Sequence, residues 1–399
     1  MKILNKIKEN KIFFVTFGVL MYVSFAYLVQ KENIHYIDNY YYPLYVINYD
    51  CGFSSRLLIG AIYSLFFGEK LSVDALLYSL LIIYTVVCFL FSLTVNNYLK
   101  RTNYKAIGIY ALFMVASPAA LAFLRYLGTL DLFLMFFILG SLYFVNKKGL
   151  RWLVPVFCVV SMCLYDLFAT TYLPLMAIAV FYQFVKKPNV SNFIYIAVCA
   201  VVVGFATIYF LMLGDSTMKM TSEQMVEFAR GRLEAPANNF DEYYLRSVFF
   251  WETPQVENYH GFLGYIKYNF EHYIHGDQSA VKMLCFFIVS NLLTSIPFVY
   301  LIAKAFKKAE TPLKKFIYFC SFAPILCMLI NLLLSTDPDR FSLHFLLSVI
   351  FTLLFFVSEN DTAFSEAYND GRITLKKNKA LFAIIGLCIA GIVLTGVKF

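Results

Sequence analysis

Long uncharged apolar runs recur along this chain from Ile12 to Val397, and they constrain the fold more than any other feature of the sequence. A membrane-spanning helix needs about 20 mostly apolar residues, because each adds about 1.5 Å across a hydrocarbon core of about 30 Å. We count eleven such runs, approximately 12–29, 75–95, 106–124, 131–145, 150–165, 170–185, 193–213, 283–303, 316–334, 341–357 and 380–397.

Composition agrees with a lipid environment. Hydrophobic residues make up 60% of the 399 residues and charged residues 15%, whereas a soluble domain has about 45–50% and about 25%. The sequence therefore predicts an all-α, polytopic membrane protein with about 11 transmembrane helices, forming a single transmembrane domain over 1–399. A soluble globular protein is excluded.

The distribution of basic residues predicts which side of the membrane each loop occupies. The run Leu57–Phe67 has 11 residues, about 16 Å of helix, which is too short to cross. With this half-helix kept outside, the inner loops hold 21 of the 33 basic residues and 6 of the 25 acidic ones, a net charge of +15 inside against −7 outside. This matches the positive-inside rule. The positive-inside rule therefore accounts for the formal net charge of +8, and no nucleic-acid partner is expected.

This topology predicts a multi-pass protein of the plasma membrane with a cytoplasmic N-terminus and two long outer segments. The first, 30–74, contains the half-helix, and the second, 214–282, has 69 residues. Within the second, we expect one helix from Ser222 to Arg232, one starting near Asn239 and continuing through Phe250, and a surface helix at 261–274. The cysteines form no disulfide framework or CxxC metal site.

Charged residues gather at the outer ends of the predicted spans and not at their centres. Asp50 and Arg56 precede the half-helix, where the carboxylate could act as a general base and the guanidinium could bind a phosphate. The alternative is that Asp50 caps the half-helix or pairs with Arg56. Near mid-span, only Asn291 and Asn331 are notable, and helix-packing hydrogen bonds explain both.

Two further groups of charges lie at later span ends. Asp337 is a candidate N-cap before Pro338, which puts Arg340 and His344 on one helix face, with Asp339 beside them. That face could bind a lipid phosphate, or the two side chains could be membrane-surface anchors.

The short turns between closely spaced runs carry the other charges. Arg125 and Asp131 flank one turn, where an ion pair between them is the alternative to a functional role. Asp166 lies in the turn between the runs 150–165 and 170–185, which together with this turn occupy only 36 residues. An outward cavity lined by these groups is the expected consequence.

This pattern resembles the GT-C class of integral membrane glycosyltransferases. The resemblance lies in the many spans, the outer loop with an acidic residue, and the charges at later span ends; adjacent paired acids are absent, since Asn39 follows Asp38 and Cys51 follows Asp50. It implies transfer of a sugar from a polyprenyl-phosphate donor to a glycan or lipid-linked acceptor on the outer face. It also implies Asp50 as the catalytic acid of the first loop, with Asp38 less favoured. Apart from the resemblance, Asp166 is the next candidate for the base if Asp50 is not the base.

In the same resemblance, the donor phosphate would lie near Arg340 and His344. The chain is also similar to polymerases and ligases of surface-polysaccharide repeat units, in which Arg230, Arg232 and Arg246 would be the loop arginines. A transporter of lipid-linked glycans is a third possibility. No cofactor is indicated, although a divalent metal is compatible with the chemistry.

Overall fold

The structure is a computed structural model that describes residues 10–30, 37, 39–100, 107, 124, 127–212, 217–250, 271, 278–334, 338–377, 380, 383–384, 386–387 and 390. Within these residues the regular structure is helical, and the only β pairings are the isolated bridges between Leu71 and Leu233 and between Leu127 and Thr129. The first half contains α1 Lys11–Gln30, α2 Leu57–Phe67, α3 Val73–Lys100, α4 Asp131–Phe144, α5 Leu153–Leu164, α6 Phe168–Thr171, α7 Leu173–Lys186 and α8 Val190–Met212.

The second half contains α9 Ser222–Arg232, α10 Tyr243–Phe250, α11 Gln278–Lys308, α12 Pro312–Cys320, α13 Ala323–Leu334, α14 Pro338–Glu359 and α15 Thr362–Lys377. Two short 3-10 helices, Asn39–Tyr45 and Leu150–Trp152, precede α2 and α5. The expected starts and ends of α2 and α9 are confirmed, whereas α10 begins later than expected, at Tyr243.

Six helical segments of the described chain are long and apolar enough to cross a membrane. They are α1, α3, α8, α11, α14 and the segment formed by α12 with α13. The predicted spans at 131–145, 150–165 and 170–185 are represented by shorter apolar helices, and α2 is also in this class. The runs 106–124 and 380–397 lie mostly outside the described residues, as does the expected surface helix at 261–274.

Helix α14 is the centre of the bundle. Every residue from Arg340 to Glu359 is buried, whereas the other long spans are buried over less than half of their apolar windows. It packs against α3, α7, α11 and α13. Burial keeps its polar residues Ser342, His344, Ser348 and Thr352 away from lipid.

Two asparagines join helices inside the bundle, which confirms their predicted packing role. Asn291 on α11 donates to the Ser342 hydroxyl on α14 at 2.8 Å. Asn331 on α13 donates to the Thr170 hydroxyl on α6 at 2.9 Å. Each bond gives the amide nitrogen of the asparagine a partner, and a polar group without one would be costly to bury.

The half-helix α2 is held against the segment before it by a very close backbone approach. A Cβ placed on Gly60 would lie 1.8 Å from the carbonyl oxygen of Ile47, so only glycine fits at this position.

Both flanks of α2 bond to one segment of the second long loop. The Cys51 carbonyl accepts from the Lys219 amide at 2.8 Å, and the Leu71 amide donates to the Arg232 carbonyl at 2.9 Å.

Candidate functional site

The N-terminal ends of α4, α7 and α14 meet at one end of the bundle, and the predicted charges gather there. Asp131 is the first residue of α4, Tyr172 immediately precedes α7, and Arg340 lies in the first turn of α14. The C-terminal end of α5 brings Tyr165 and Asp166 to the same place. We call these residues, with Arg56, His344 and Tyr244, the charge cluster.

Asp131 is the most deeply buried carboxylate of the charge cluster. Its Oδ2 lies 2.7 Å from Nε of Arg340 without hydrogen-bond alignment, so that contact is ionic. Its Oδ1 lies 3.1 Å from Nε2 of His344, and Thr129 donates its hydroxyl to Oδ2 at 2.8 Å. With both oxygens engaged, Asp131 is suited to holding Arg340 and His344 and not to accepting a proton from a substrate.

His344 connects Asp131 to a buried tyrosine. When the neutral ring donates Nε2–H to Asp131, Nδ1 accepts the hydroxyl of Tyr172, whose oxygen lies 2.6 Å away. All three side chains are buried. This places His344 inside the protein, so the interpretation of Arg340 and His344 as membrane-surface anchors is wrong.

Tyr165 separates two guanidinium groups. Arg340 donates Nη2–H to the Tyr165 hydroxyl, and its Cζ lies 5.6 Å from the centre of the ring. Arg56 lies over the same ring at 4.8 Å. A tyrosine face attracts a cation. The Tyr165 ring therefore stabilises two guanidinium groups that lie near each other and repel each other.

Arg56 pairs with Asp166 and not with Asp50. Its Nε and Nη2 both donate to Oδ1 of Asp166, at 3.2 Å and 2.9 Å. Burial alone would lower the pKa of Arg56, but the charge and hydrogen bond of Asp166, together with Tyr244 and Tyr165, raise the pKa above its ordinary value. The predicted alternatives in which Asp50 pairs with Arg56 or caps the half-helix are therefore wrong.

The backbone of Arg56 explains how a residue so close to Asp50 in sequence is directed away from it. Arg56 has φ 74° and ψ −13°, the left-handed region that a residue with a Cβ rarely occupies. Its amide donates to the Cys163 carbonyl at 2.8 Å, which ties it to α5. No side chain caps α2. A strained conformation of this kind costs about 1–3 kcal/mol and is commonly found at functional sites.

The large loop covers the charge cluster through α10. The Tyr244 hydroxyl accepts from Nη1 of Arg56 at 3.3 Å, and the Tyr244 ring packs edge-on against Tyr41 at 5.5 Å. Burial raises the pKa of Tyr244, so the hydroxyl stays protonated and able to donate a hydrogen bond. Both of the long segments that the sequence predicts to lie outside thus contribute to this end of the bundle.

Asp50 lies apart from these contacts and is the most accessible of the candidate carboxylates whose side chains are described. Its side chain is 64% exposed, and its Oδ2 is 3.5 Å from Arg232 at the end of α9. Asp166 is 29% exposed. These two carboxylates therefore have the oxygen atoms most available to a ligand.

The remaining candidates are only partly visible. Asp339 is the second residue of α14, after Pro338 at the predicted first position. Asp38, Arg125 and Asp337 lie outside the described residues, so the proposed pair between Arg125 and Asp131 stays a prediction. Within the described part of the chain, no group of three or more His, Cys, Asp or Glu side chains is arranged to bind a metal ion.

Sequence reasoning missed the tyrosines that organise the site. Tyr165, Tyr172 and Tyr244 each contact a charged or imidazole group, but the chain has 30 tyrosines and most suit a membrane interface equally well. The one feature of the sequence that could have indicated Tyr165 is its position, because it directly precedes Asp166 in a turn between two short apolar helices.

Comparisons with known proteins give no match to a family model, to a curated protein or to a solved structure.

Proposed function

We propose that this protein is an integral membrane glycosyltransferase that transfers a sugar from a polyprenyl-phosphate donor to a cell-surface glycan at the end of the bundle that carries the charge cluster. One observation supports this most strongly. Arg56 and Arg340, which come from different elements, flank Tyr165 next to a partly exposed carboxylate, Asp166. Such an arrangement brings two cations that could face a phosphate beside a carboxylate that could accept a proton.

Arg56 is the side chain best suited to bind the donor phosphate. A guanidinium presents a planar fork of donors that fits phosphate oxygens. In the present structure Asp166 occupies that fork. A donor phosphate that takes its place would leave the Asp166 oxygens free, so donor binding would prepare a carboxylate for the acceptor. Arg340 is only 9% exposed and faces Asp131, so it would attract the phosphate by its positive charge without contacting it.

The chemical step is a displacement at the anomeric carbon. The acceptor oxygen forms a bond to that carbon while the bond from the carbon to the phosphate oxygen breaks, and the phosphate leaves with the electron pair. A carboxylate accepts the acceptor's hydroxyl proton. Cations near the leaving phosphate stabilise its growing charge. Asp50 is our first candidate for the base because of its exposure, and Asp166 is the second.

Contacts around α2 support an outer location for this step. Residues 51 and 71, which flank α2, both bond to backbone groups of 219–234, as expected of a half-helix that begins and ends on one side. The distribution of Lys and Arg along the sequence favours the outer side of a plasma membrane for these contacts, because Lys and Arg are in excess in cytoplasmic loops.

The loop arginines give no separate support to a repeat-unit polymerase. Arg230 and Arg246 both form ion pairs with Glu242, which joins α9 to α10. Arg232 faces Asp50. These contacts explain the arginines as parts of the loop structure, so we retain single-sugar transfer as the proposed reaction.

Transfer of labelled sugar in membranes, normalised for protein level, tests the assignment of the base. Asp50→Asn keeps the shape of the side chain but removes its charge, so we expect a loss of about 10²–10⁴-fold in rate. Asp241→Asn is the matched control, because its oxygen accepts the Tyr243 amide and asparagine caps equally well. Near-normal transfer by Asp50→Asn would reject Asp50 and direct the test to Asp166→Asn.

A further inference from the structure

A second polar site lies at the opposite end of α4, α7 and α14 from the charge cluster. It is an open cavity of about 710 Å³, within the usual size range of small-molecule pockets. Asn146 lines it just beyond α4, Gln183 lines it from the last turn of α7, and Glu359 lines it at the end of α14. The proposed transferase reaction uses none of these residues.

The lining of this cavity is polar and positively charged. Among the described lining residues only Val145 is apolar, and the charged ones are Lys148, Arg151, Lys186, Lys187 and Glu359. Such a surface does not suit an apolar ligand. Its net charge of three positive units suits an anion.

The one carboxylate of the cavity is already neutralised. Glu359 has a fully buried side chain, its Oε2 lies 2.7 Å from Nζ of Lys186, and Gln183 donates to its other oxygen at 3.3 Å. Lys148 and Lys187, by contrast, have no carboxylate partner among the described residues. Three cations therefore remain for a ligand.

Arg151 is held in place without the help of a carboxylate. Its Nη1 donates to Asn192, and its Nη2 donates to the Ser191 hydroxyl at 2.9 Å. Its Cζ lies 4.8 Å from the centre of the Tyr195 ring. A fixed guanidinium loses little conformational entropy when it binds an anion, which makes it a prepared binding group.

Helix dipoles oppose anion binding here, but more weakly than the side chains favour it. The C-terminal ends of α4, α7 and α14 each contribute about half a negative charge, and the N-terminal end of α8 contributes about half a positive charge. Together the helix ends amount to about one negative charge. Lys148, Lys187 and Arg151, which have no carboxylate partner among the described residues, amount to three positive charges. The cavity keeps a positive potential.

We propose that this cavity binds a phosphate ester whose other groups are hydroxyls. The cations would bind the phosphate, and the amides and hydroxyls of Asn146, Asn189 and Ser358, which also line the cavity, would bind the rest. The headgroup of an anionic phospholipid and a soluble phosphate ester share this chemistry. The predicted inner side of the membrane, where anionic lipids are concentrated, is where the cavity opens.

The test uses the full chain in nanodiscs and two probes. Retention of phosphatidylglycerol in mixed phosphatidylcholine–phosphatidylglycerol nanodiscs is followed by native mass spectrometry, and binding of glycerol 1-phosphate is followed by calorimetry in phosphatidylcholine nanodiscs. The cavity variant is Lys148→Gln with Lys187→Gln. The control is Lys307→Gln with Lys315→Gln, which removes the same charge from exposed lysines on the same predicted side but outside the cavity.

We expect the cavity variant to weaken binding of at least one probe by about tenfold or more, since each basic group near a membrane surface is worth about fivefold in affinity. The control should change binding less than about twofold, because Lys307 and Lys315 do not line the cavity and exposed charges are screened by salt. Binding of phosphatidylglycerol alone identifies a lipid headgroup as the ligand, and binding of glycerol 1-phosphate identifies a soluble ester; either supports the proposal. Equal losses in the two variants, or no binding of either probe by the wild-type protein, would overturn it.

Discussion

Loss of the Asp131 charge should destabilise the protein far more than loss of an exposed carboxylate. Asp131 and Arg340 have side chains only 3% and 9% exposed. Asp131→Asn keeps the volume of the side chain but removes the carboxylate charge that faces the buried Arg340 guanidinium, and removal of one member of a buried ion pair costs about 3–5 kcal/mol. That corresponds to a factor of about 10²–10⁴ in the folding equilibrium.

Removal of both charges should destabilise the protein less than removal of the Asp131 charge alone. Asp131→Asn combined with Arg340→Gln removes both charges of the pair, and replacement of a whole buried pair is often close to neutral. The double variant should therefore be more stable than the Asp131→Asn single variant. Glu242→Gln is the control, because its ion pairs with Arg230 and Arg246 lie at the surface and are worth about 1 kcal/mol or less.

The assay is the fraction of protein that stays monodisperse in mild detergent as temperature or added sodium dodecyl sulfate increases. The expected order of stability is wild type and Glu242→Gln first, the double variant next, and Asp131→Asn last. Two results would refute the reasoning: an Asp131→Asn variant as stable as Glu242→Gln, or a double variant no more stable than the single one.

Two further predictions concern the half-helix and the sidedness of the loops. Gly60→Ala should abolish the folded yield, because the new Cβ would overlap the Ile47 carbonyl oxygen. Gly18→Ala is the control and should have little effect, since nothing lies within 4 Å of its Cβ position. Fluorescence-detected size-exclusion chromatography measures both yields, and a normal yield of Gly60→Ala would contradict the close approach. A cysteine at Glu69 should react with an impermeant thiol reagent added outside intact cells, while one at Lys187 should not; protection at position 69 would mean that α2 crosses the membrane.

Helix positions were largely predictable from the sequence because lipid imposes a length and an apolar composition on each span. The structure has a helix at Leu57–Phe67, the residues at which the sequence predicts one; that it does not cross the membrane stays a prediction. Breaks within predicted spans were not foreseen. The segment 170–185 is interrupted at Tyr172 and the segment 316–334 near Ser321, where local turn geometry decides the outcome and hydropathy carries no signal.

The pairing of charges in the site was not predictable, although most of the participating charges were. Sequence spacing put Arg340 and His344 on one helix face, but Tyr165 lies 175 residues from Arg340, and no pattern in one sequence connects them. The short separation of Asp50 and Arg56 suggested a pair. The left-handed backbone of Arg56 overrides that separation and directs its side chain to Asp166.

The fate of a polyprenyl-phosphate sugar given to the purified protein in liposomes tests the central claim most directly. A transferase breaks the bond between sugar and phosphate, so we predict that free polyprenyl phosphate accumulates in step with labelled sugar in an acceptor supplied by the total membrane extract. Arg56→Lys, which keeps the charge but loses the fork, should slow this release. Movement of the intact donor across the bilayer, with its sugar still attached and no free polyprenyl phosphate formed, would contradict the account and identify a transporter.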